Sequence, residues 1–309
     1  MTKPRWERVT VVGCGLVGAS FALALKRAGA CGRVAGWDVD ASALEESLRL
    51  GAIDEVDAAF DVGKVSSPDD EVSSLDGMVS SSDLIYLAMP VGQIIAFLRA
   101  AAPHVKPGAV ITDAGSTKAE VCRAARACVS KGRRFVGGHP VAGSHLRGAA
   151  HARADLFDGA PYVLTTVEDG SDAASLDALE ETLRHMGARV RVTTAAEHDR
   201  ALALVSHLPQ VVSGALAAVV AARPDSDALK SLSGAGYRDM TRLAASPWGV
   251  WRDILATNPA EIADALDALI SKLAVARDEL RDYSQTPEQA RARLELSLTS
   301  ALFDQYQTN

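Results

Sequence analysis

His139 lies between two glycines and a proline in the run Gly137-Gly138-His139-Pro140-Val141-Ala142-Gly143, directly after an apolar stretch. A backbone so constrained holds an imidazole still, which suits a general base. Far upstream, Gly13-Cys14-Gly15-Leu16-Val17-Gly18 has the Gly-x-Gly-x-x-Gly spacing of a dinucleotide loop. A fixed histidine paired with a redox cofactor implies a dehydrogenase.

In this loop Gly13 permits the tight turn, Gly15 lets a pyrophosphate approach the backbone, and Gly18 lets helix and strand pack. Leu16 and Val17 open the helix whose free N–H groups meet the phosphates. Asp38 follows 20 residues after Gly18, where an acidic residue accepts hydrogen bonds from the adenosine ribose. Val39, Asp40, Ala41 and Ser42 include no cation for a 2′-phosphate, so the expected cofactor is NAD rather than NADP. Cys14 is expected to pack, since nothing nearby activates it.

Three further clusters carry polar chemistry: Asp113-Ala114-Gly115-Ser116-Thr117-Lys118, then His198-Asp199 with Ser206-His207-Leu208-Pro209, then Tyr237-Arg238-Asp239-Met240-Thr241-Arg242. On one continuous helix after Ala195, at about 100° per residue, Asp199, Ser206 and Gln210 fall within roughly 20° of a line, with His207 about 80° away. Such a stripe either faces a crevice or bonds to neighbouring helices.

The elements that must position these groups alternate. Val9–Val12, Arg33–Trp37, Leu84–Ala88, Ala109–Thr112 and Phe135–Gly137 read as short strands separated by helical stretches. Tyr162–Val167, a helix over Ala173–Met186 and Ala188–Thr193 close the same domain. This predicts an α/β, Rossmann-type dinucleotide-binding domain with a mostly parallel sheet over residues 1–194. From Ala195 helical periodicity dominates, so residues 195–309 are expected to form an all-α domain. The apolar run Ala201–Ala222 contains Ser206, His207, Pro209 and Gln210 and is read as a buried core helix, not a membrane span. Apolar faces in Leu202–Val220 and Ile262–Leu273 exceed what a small helical domain needs and predict a homodimer through it. Asp61–Ser82, rich in Ser and Asp, reads as a solvated loop.

Composition bounds the alternatives. The chain has 309 residues, 48% of them hydrophobic and 23% charged, enough for two domains with real cores. Its net charge of −7 and pI near 5.5 disfavour nucleic acid and anionic membrane as partners, so an anionic substrate needs local arginines. Four cysteines show neither zinc-site spacing nor disulfide density. With no export signal visible, a cytoplasmic location is expected.

Taken in order with Trp251-Arg252-Asp253, these elements resemble the prephenate and arogenate dehydrogenases of tyrosine biosynthesis, over nearly the whole chain. The resemblance implies NAD-dependent oxidative decarboxylation: hydride leaves C4 of a cyclohexadienol, the ring carboxylate departs as CO2, and the ring becomes aromatic. It assigns His139 as acceptor of the C4 hydroxyl proton, a task that a histidine's reference pKa of about 6.5 suits. Ser116 hydrogen-bonds that hydroxyl and aligns C4 beside the nicotinamide. Arg242 binds a substrate carboxylate, with Asp239 holding its guanidinium and Arg238 as a second cation. His207, Gln210 and His145 complete the expected substrate contacts.

The chain also departs from the family pattern. Ser144-His145-Leu146-Arg147 lacks the carboxylate that many relatives place after His-Pro-x-Ala-Gly. This favours the keto acid prephenate, giving 4-hydroxyphenylpyruvate, with arogenate or dual cyclohexadienyl dehydrogenase activity, forming tyrosine directly, as the alternative. Gln210 stands where relatives often have a second histidine, and segment 61–82 is longer than usual. Because the glycine loop begins so near Met1 and a final helix over Pro287–Tyr306 ends the chain, tyrosine feedback, if present, is expected at or near the active site. Two rival readings are a hydroxy-acid dehydrogenase, which would need a lysine in the helical domain where Lys230 lacks a matching motif, and a nucleotide-sensing protein without catalysis.

Overall fold

The computed structural model describes residues 4–56, 80–129, 132–142, 146–166, 173–283 and 287–299. Residues 61–79 of the expected loop, the candidate His145 and the end of the expected last helix lie outside these.

The β-branched run before the glycine loop becomes β1 (Trp6–Val12), and α1 (Leu16–Arg27) follows the loop. Gly29 ends that helix at φ +62°, and Lys26 and Arg27 complement its C-terminal dipole. Next come β2 (Cys31–Trp37), α2 (Ala41–Arg49), β3 (Glu55–Val56), β4 (Leu84–Leu87), α3 (Val91–Ala101), β5 (Val110–Asp113), α4 (Ala119–Cys128), β6 (Arg134–Pro140), β7 (Pro161–Thr166), α5 (Ala173–His185) and β8 (Arg189–Thr194). The strands lie in the order β3-β2-β1-β4-β5-β6-β7-β8. All described pairs are parallel except β6 with β7.

Val9, Val11, Val12, Leu84, Ile85, Tyr86 and Leu87 are fully buried, as expected of a parallel sheet covered on both faces. Alternation along the strands sorts them. Val9, Val11, Leu84 and Tyr86 join Phe21, Leu25, Phe157 and Leu183 in one apolar cluster. Val12, Ile85 and Leu87 join Ile94, Phe97, Leu98 and Val121 in the other. Within the first, Phe21 stacks on Tyr86 with ring centroids 3.6 Å apart.

Three local expectations are corrected. The strand expected to stop at Gly137 continues through His139 to Pro140, because β7 pairs antiparallel alongside it with His139 opposite Val163. The long helix after Ala195 is broken: α6 (Ala195–Leu202), a π-helical turn Ala203–His207, then α7 (Leu208–Ala221). Pro209 has no N–H to give the carbonyl of Val205, and the wider turn absorbs that lost bond. Residues beyond the turn are rotated, so Asp199, Ser206 and Gln210 do not form the continuous stripe expected of one α-helix.

The third correction concerns burial. Ala195–Ala221 is long and apolar enough to cross a membrane by length and composition, yet within one chain Leu204, Val205 and Val219 are exposed. It is not the buried core helix anticipated.

Further helices are α8 (Ser226–Ser231), α9 (Ala235–Thr241), α10 (Trp248–Thr257), α11 (Pro259–Asp282) and α12 (Pro287–Thr299). Two compact units emerge: Met1–Leu202 with Pro247–Asn258, and Ala203–Ser246 with Pro259–Asn309. The helical half of the sequence thus returns α6 and α10 to the nucleotide-binding unit. In the second unit α7 holds the turn after α9 through Ser213 Oγ, which accepts from Ala244 N at 2.9 Å.

Removing the stacked ring should be felt throughout the first unit: Phe21→Ala is expected to cost about 3–5 kcal/mol in chemical denaturation, and a loss below about 1 kcal/mol would contradict this packing. The Cys14 thiol lies buried against the Trp37 carbonyl at 3.6 Å, and burial, with Asp38 nearby, pushes its pKa up to about 12. It is therefore expected to resist alkylation in the folded protein at mildly alkaline pH, as peptide mapping after iodoacetamide treatment would show. Rapid modification would place Cys14 in a more open loop.

Candidate active site

The parallel strands end in register. Val12 pairs with Trp37 and Leu87, and Leu87 with Asp113, so the loops holding Gly13, Asp38, Ala88 and Ala114 leave the sheet side by side. Strand order reverses between β1 and β4, and crevices at such reversals, outside the carboxyl ends, bind dinucleotides. A pocket of about 230 Å³ opens there, lined by Val17, Met89, Pro90, Gly115, Ser116 and residues of α10. Its size suits one ring rather than a whole dinucleotide.

The glycine loop fits a bound pyrophosphate. Gly13 has φ +95°, and a Cβ there would lie 2.3 Å from the Ala88 carbonyl oxygen. A Cβ on Gly18 would meet the Gly13 oxygen at 1.8 Å, whereas one on Gly15 would meet nothing within 4 Å. Folding thus demands glycine at 13 and 18, and the open approach at 15 suits a ligand. Asp38 Oδ2 accepts from Cys14 N at 2.7 Å and Oδ1 from Asp40 N at 2.9 Å, which fixes the carboxylate beside the loop with acceptor capacity to spare for a ribose.

His139 is buried, and its Nδ1 lies 2.8 Å from His198 Nε2. His198 Nδ1 in turn lies 2.7 Å from Asp199 Oδ1. A carboxylate only accepts, so His198 carries a proton on Nδ1, and a neutral His198 then offers its Nε2 lone pair to His139 Nδ1–H. The neutral tautomer of His139 that results keeps its lone pair on Nε2, the form a proton acceptor needs. Asp199 is itself fixed by Lys118 N at 2.7 Å and Ala119 N at 2.8 Å, the first N–H groups of α4.

The junction before it is pinned by a capping box: Thr194 N donates to Glu197 Oε2 at 3.1 Å, and Glu197 N to Thr194 Oγ1 at 3.2 Å. Hydrogen bonds from Thr193 and Thr194 hold the Glu197 carboxyl down at about 2.

The segment Asp113–Lys118 is closed by a fully buried ion pair between its two ends, and the Asp113 carboxylate also joins it to β6. Asp113 accepts from Lys118 Nζ, from Gly115 N at 2.8 Å and from Gly138 N at 2.9 Å. One carboxylate therefore bonds the residue before Ser116 and the residue before His139. Cβ atoms at Gly137 and Gly138 would lie 2.2 Å from Thr165 Oγ1 and 2.4 Å from the Asp113 oxygen, which is why two glycines precede the histidine. In the sequence Asp113 and Lys118 stand out only as parts of a motif; their role shows in their complete burial, since charged residues stay inside only when paired.

In the second unit the expected substrate residues are arranged differently from their sequence reading. Arg242 begins a 3-10 turn directly after α9, and both it and Asp239 are exposed. Among the described residues no ion pair joins them, because the helix that would have put them one turn apart ends at Thr241. Arg238 donates to the Ser233 carbonyl at 3.0 Å. Gln210 Nε2, expected to face substrate, donates to the Leu243 carbonyl at 2.7 Å, and its buried Oε1 has no partner among the described residues. His207 is buried in the π turn.

Residues 21–192 match the family model for the prephenate dehydrogenase nucleotide-binding domain, and residues 194–294 match that for the prephenate dehydrogenase dimerization domain. The prephenate dehydrogenase of Bacillus subtilis (strain 168) is 32% identical over 282 residues, covering 90% of this chain and 70% of the relative. A crystal structure of prephenate dehydrogenase from A. aeolicus, in complex with hydroxyphenyl propionate and NAD+, superposes with a TM-score of 0.84 at 25% identity, covering 100% of this chain and 99% of that one. Synechocystis arogenate dehydrogenase superposes with a TM-score of 0.74 at 30% identity, covering 94% and 97% of the two chains. With both of its halves matched in order, the chain belongs to the prephenate dehydrogenase family.

Proposed function

We propose that this chain catalyses the NAD-dependent oxidative decarboxylation of prephenate to 4-hydroxyphenylpyruvate, CO2 and NADH. The observation that carries the reading is the Asp199–His198–His139 chain, which supports a proton-accepting Nε2 on His139, in the strand beside the one that leads to Ser116. NAD, when bound, supplies a hydride acceptor at the pocket. His139 Nε2 takes the C4 hydroxyl proton as C4 gives up its hydride. The bond from the ring to its carboxylate breaks at the same stage, and its electron pair enters the ring, which becomes aromatic. Ser116, in the wall of the pocket, orients the hydroxyl. Gly13, Gly15, Leu16, Val17, Gly18 and Asp38 hold the cofactor. Arg242 takes a substrate carboxylate, its exposed guanidinium supplying local positive charge in a protein whose net charge is −7. Arg238, His207, Gln210 and His145 are assigned substrate contacts on their places in the sequence alone.

The exposed apolar residues Leu204, Val205, Val219, Ile270 and Leu273 fit burial against a second copy, making the enzyme a homodimer through its helical domain. For function we divide the chain at residue 194, with 1–194 for the cofactor and 195–309 for substrate and dimerisation, although α6 and α10 of the latter belong to the first compact unit. We assign the enzyme to the cytoplasm, with neither nucleic acid nor membrane as partner, a reading that its net charge of −7 supports.

Purified protein should form NADH from NAD and prephenate; no NADH with either prephenate or arogenate would overturn the reading. His139→Asn should lose about 10²–10⁴ in kcat while binding NAD as before, and Arg242→Gln should chiefly raise the KM for prephenate. Near-full activity in the asparagine variant would make His139 structural. His198→Phe, which removes the group that fixes the tautomer, should lower kcat about 10²-fold with little change in either KM. Light scattering at micromolar concentration is expected to give twice the monomer mass, and a monomer would count against the apolar faces as a dimer interface.

A further inference from the structure

Helix α3 lacks a cap of its own. It starts after Pro90, which has no acceptor side chain, and its second N–H, that of Gly92, donates instead to Asp253 Oδ2 at 3.0 Å from 161 residues away. This is the N–H that an N-cap residue ordinarily satisfies, and the anion also complements the positive end of the helix. Asp253 is buried, and its Oδ1 accepts from Arg252 Nε at 3.0 Å. A Cβ on Gly92 would sit 3.1 Å from the same Oδ2, so glycine is what admits the carboxylate.

The bond joins two walls of the pocket. Met89, Pro90 and Val91 lead into α3, and Val250 and Ile254 lie on α10 either side of Asp253; all five line the space beside Ser116. Two further bonds hold α10 in place: Thr257 Oγ1 is 2.7 Å from Thr117 Oγ1, and Asn258 Nδ2 donates to the Asp199 carbonyl at 2.9 Å. Yet the chain on either side of residues 247–258 belongs to the other compact unit. A short segment with both ends committed elsewhere needs fixed attachments to form a pocket wall.

We propose that Asp253 is a positioning residue for the cofactor: by capping α3 from α10 it holds the Met89–Val91 and Val250–Ile254 walls at the spacing that grips the nicotinamide end of NAD. This rests on the reading of the pocket as the NAD site. The test is calorimetric titration of NAD into the wild type and into Asp253→Ala, Asp253→Ser and Asp253→Asn, with kcat measured at saturating NAD.

Asp253→Ala and Asp253→Ser, which lose the acceptor or its reach, should weaken NAD binding about tenfold, as loss of one cap would, with kcat at saturation and the KM for prephenate within about twofold of wild type. Asp253→Asn keeps an oxygen for Gly92 N–H and should bind NAD within about twofold of wild type. General destabilisation would lower the active fraction without changing the dissociation constant of what remains folded. A folded alanine variant with unchanged NAD affinity, or an asparagine variant as weak as alanine, overturns the proposal; should Asp253→Ala fail to fold, Asp253→Ser is held to the same criteria. Failure of the wild type itself to bind NAD would instead overturn the site.

Discussion

The Asp199 carboxylate is the constraint on which the rest of the site depends. Buried and anionic, it must find donors or cost several kcal/mol, and it finds three: the N–H groups of Lys118 and Ala119 and the Nδ1–H of His198. Those donors lie on different parts of the chain. Satisfying one charge therefore fixes where α4 begins, where α6 starts relative to it, and which way the imidazole of His198 faces. With His198 neutral, the tautomer of His139 follows from it.

Asp253 obeys the same logic at the neighbouring helix. Both α3 and α4 follow central strands whose ends form the crevice, and neither has an acceptor at its own N-terminus. Both import a carboxylate from α6 or α10, elements that come after the sheet in sequence yet belong to its compact unit. Asp113 makes the complementary connection from within the sheet, bonding Gly115 N and Gly138 N with one side chain while its charge is met by Lys118. Three buried carboxylates, each shared between segments, thus set the relative places of the serine, histidine and pocket walls.

Much of this was legible beforehand. Strand, glycine loop, helix and Asp38 announce themselves because their signals are local: β-branched runs, a fixed spacing and a helical period. The histidine was legible because glycine and proline mark special backbone, although the reason for Gly137 and Gly138 is close approach by Thr165 and Asp113, partners no local pattern reveals. Propensity also ended β6 too early, since pairing with β7 carries it through Pro140. The polar stripe failed for a definite reason, a π turn before Pro209 that a uniform helical period cannot represent. Contacts spanning many residues, such as Lys118 to Asp199 or Gly92 to Asp253, leave no periodic trace, so the return of α6 and α10 to the first unit could be seen only in three dimensions.

The most direct test of the central claim is the protonation of His139 itself, read by nitrogen NMR on protein carrying 15N-labelled histidine, with His139→Asn to assign the signals. At neutral pH the His139 ring should show a protonated Nδ1 and an unprotonated Nε2, as the acceptor chain from Asp199 requires. An Nε2–H tautomer, or a ring exchanging freely between the two, would contradict the account.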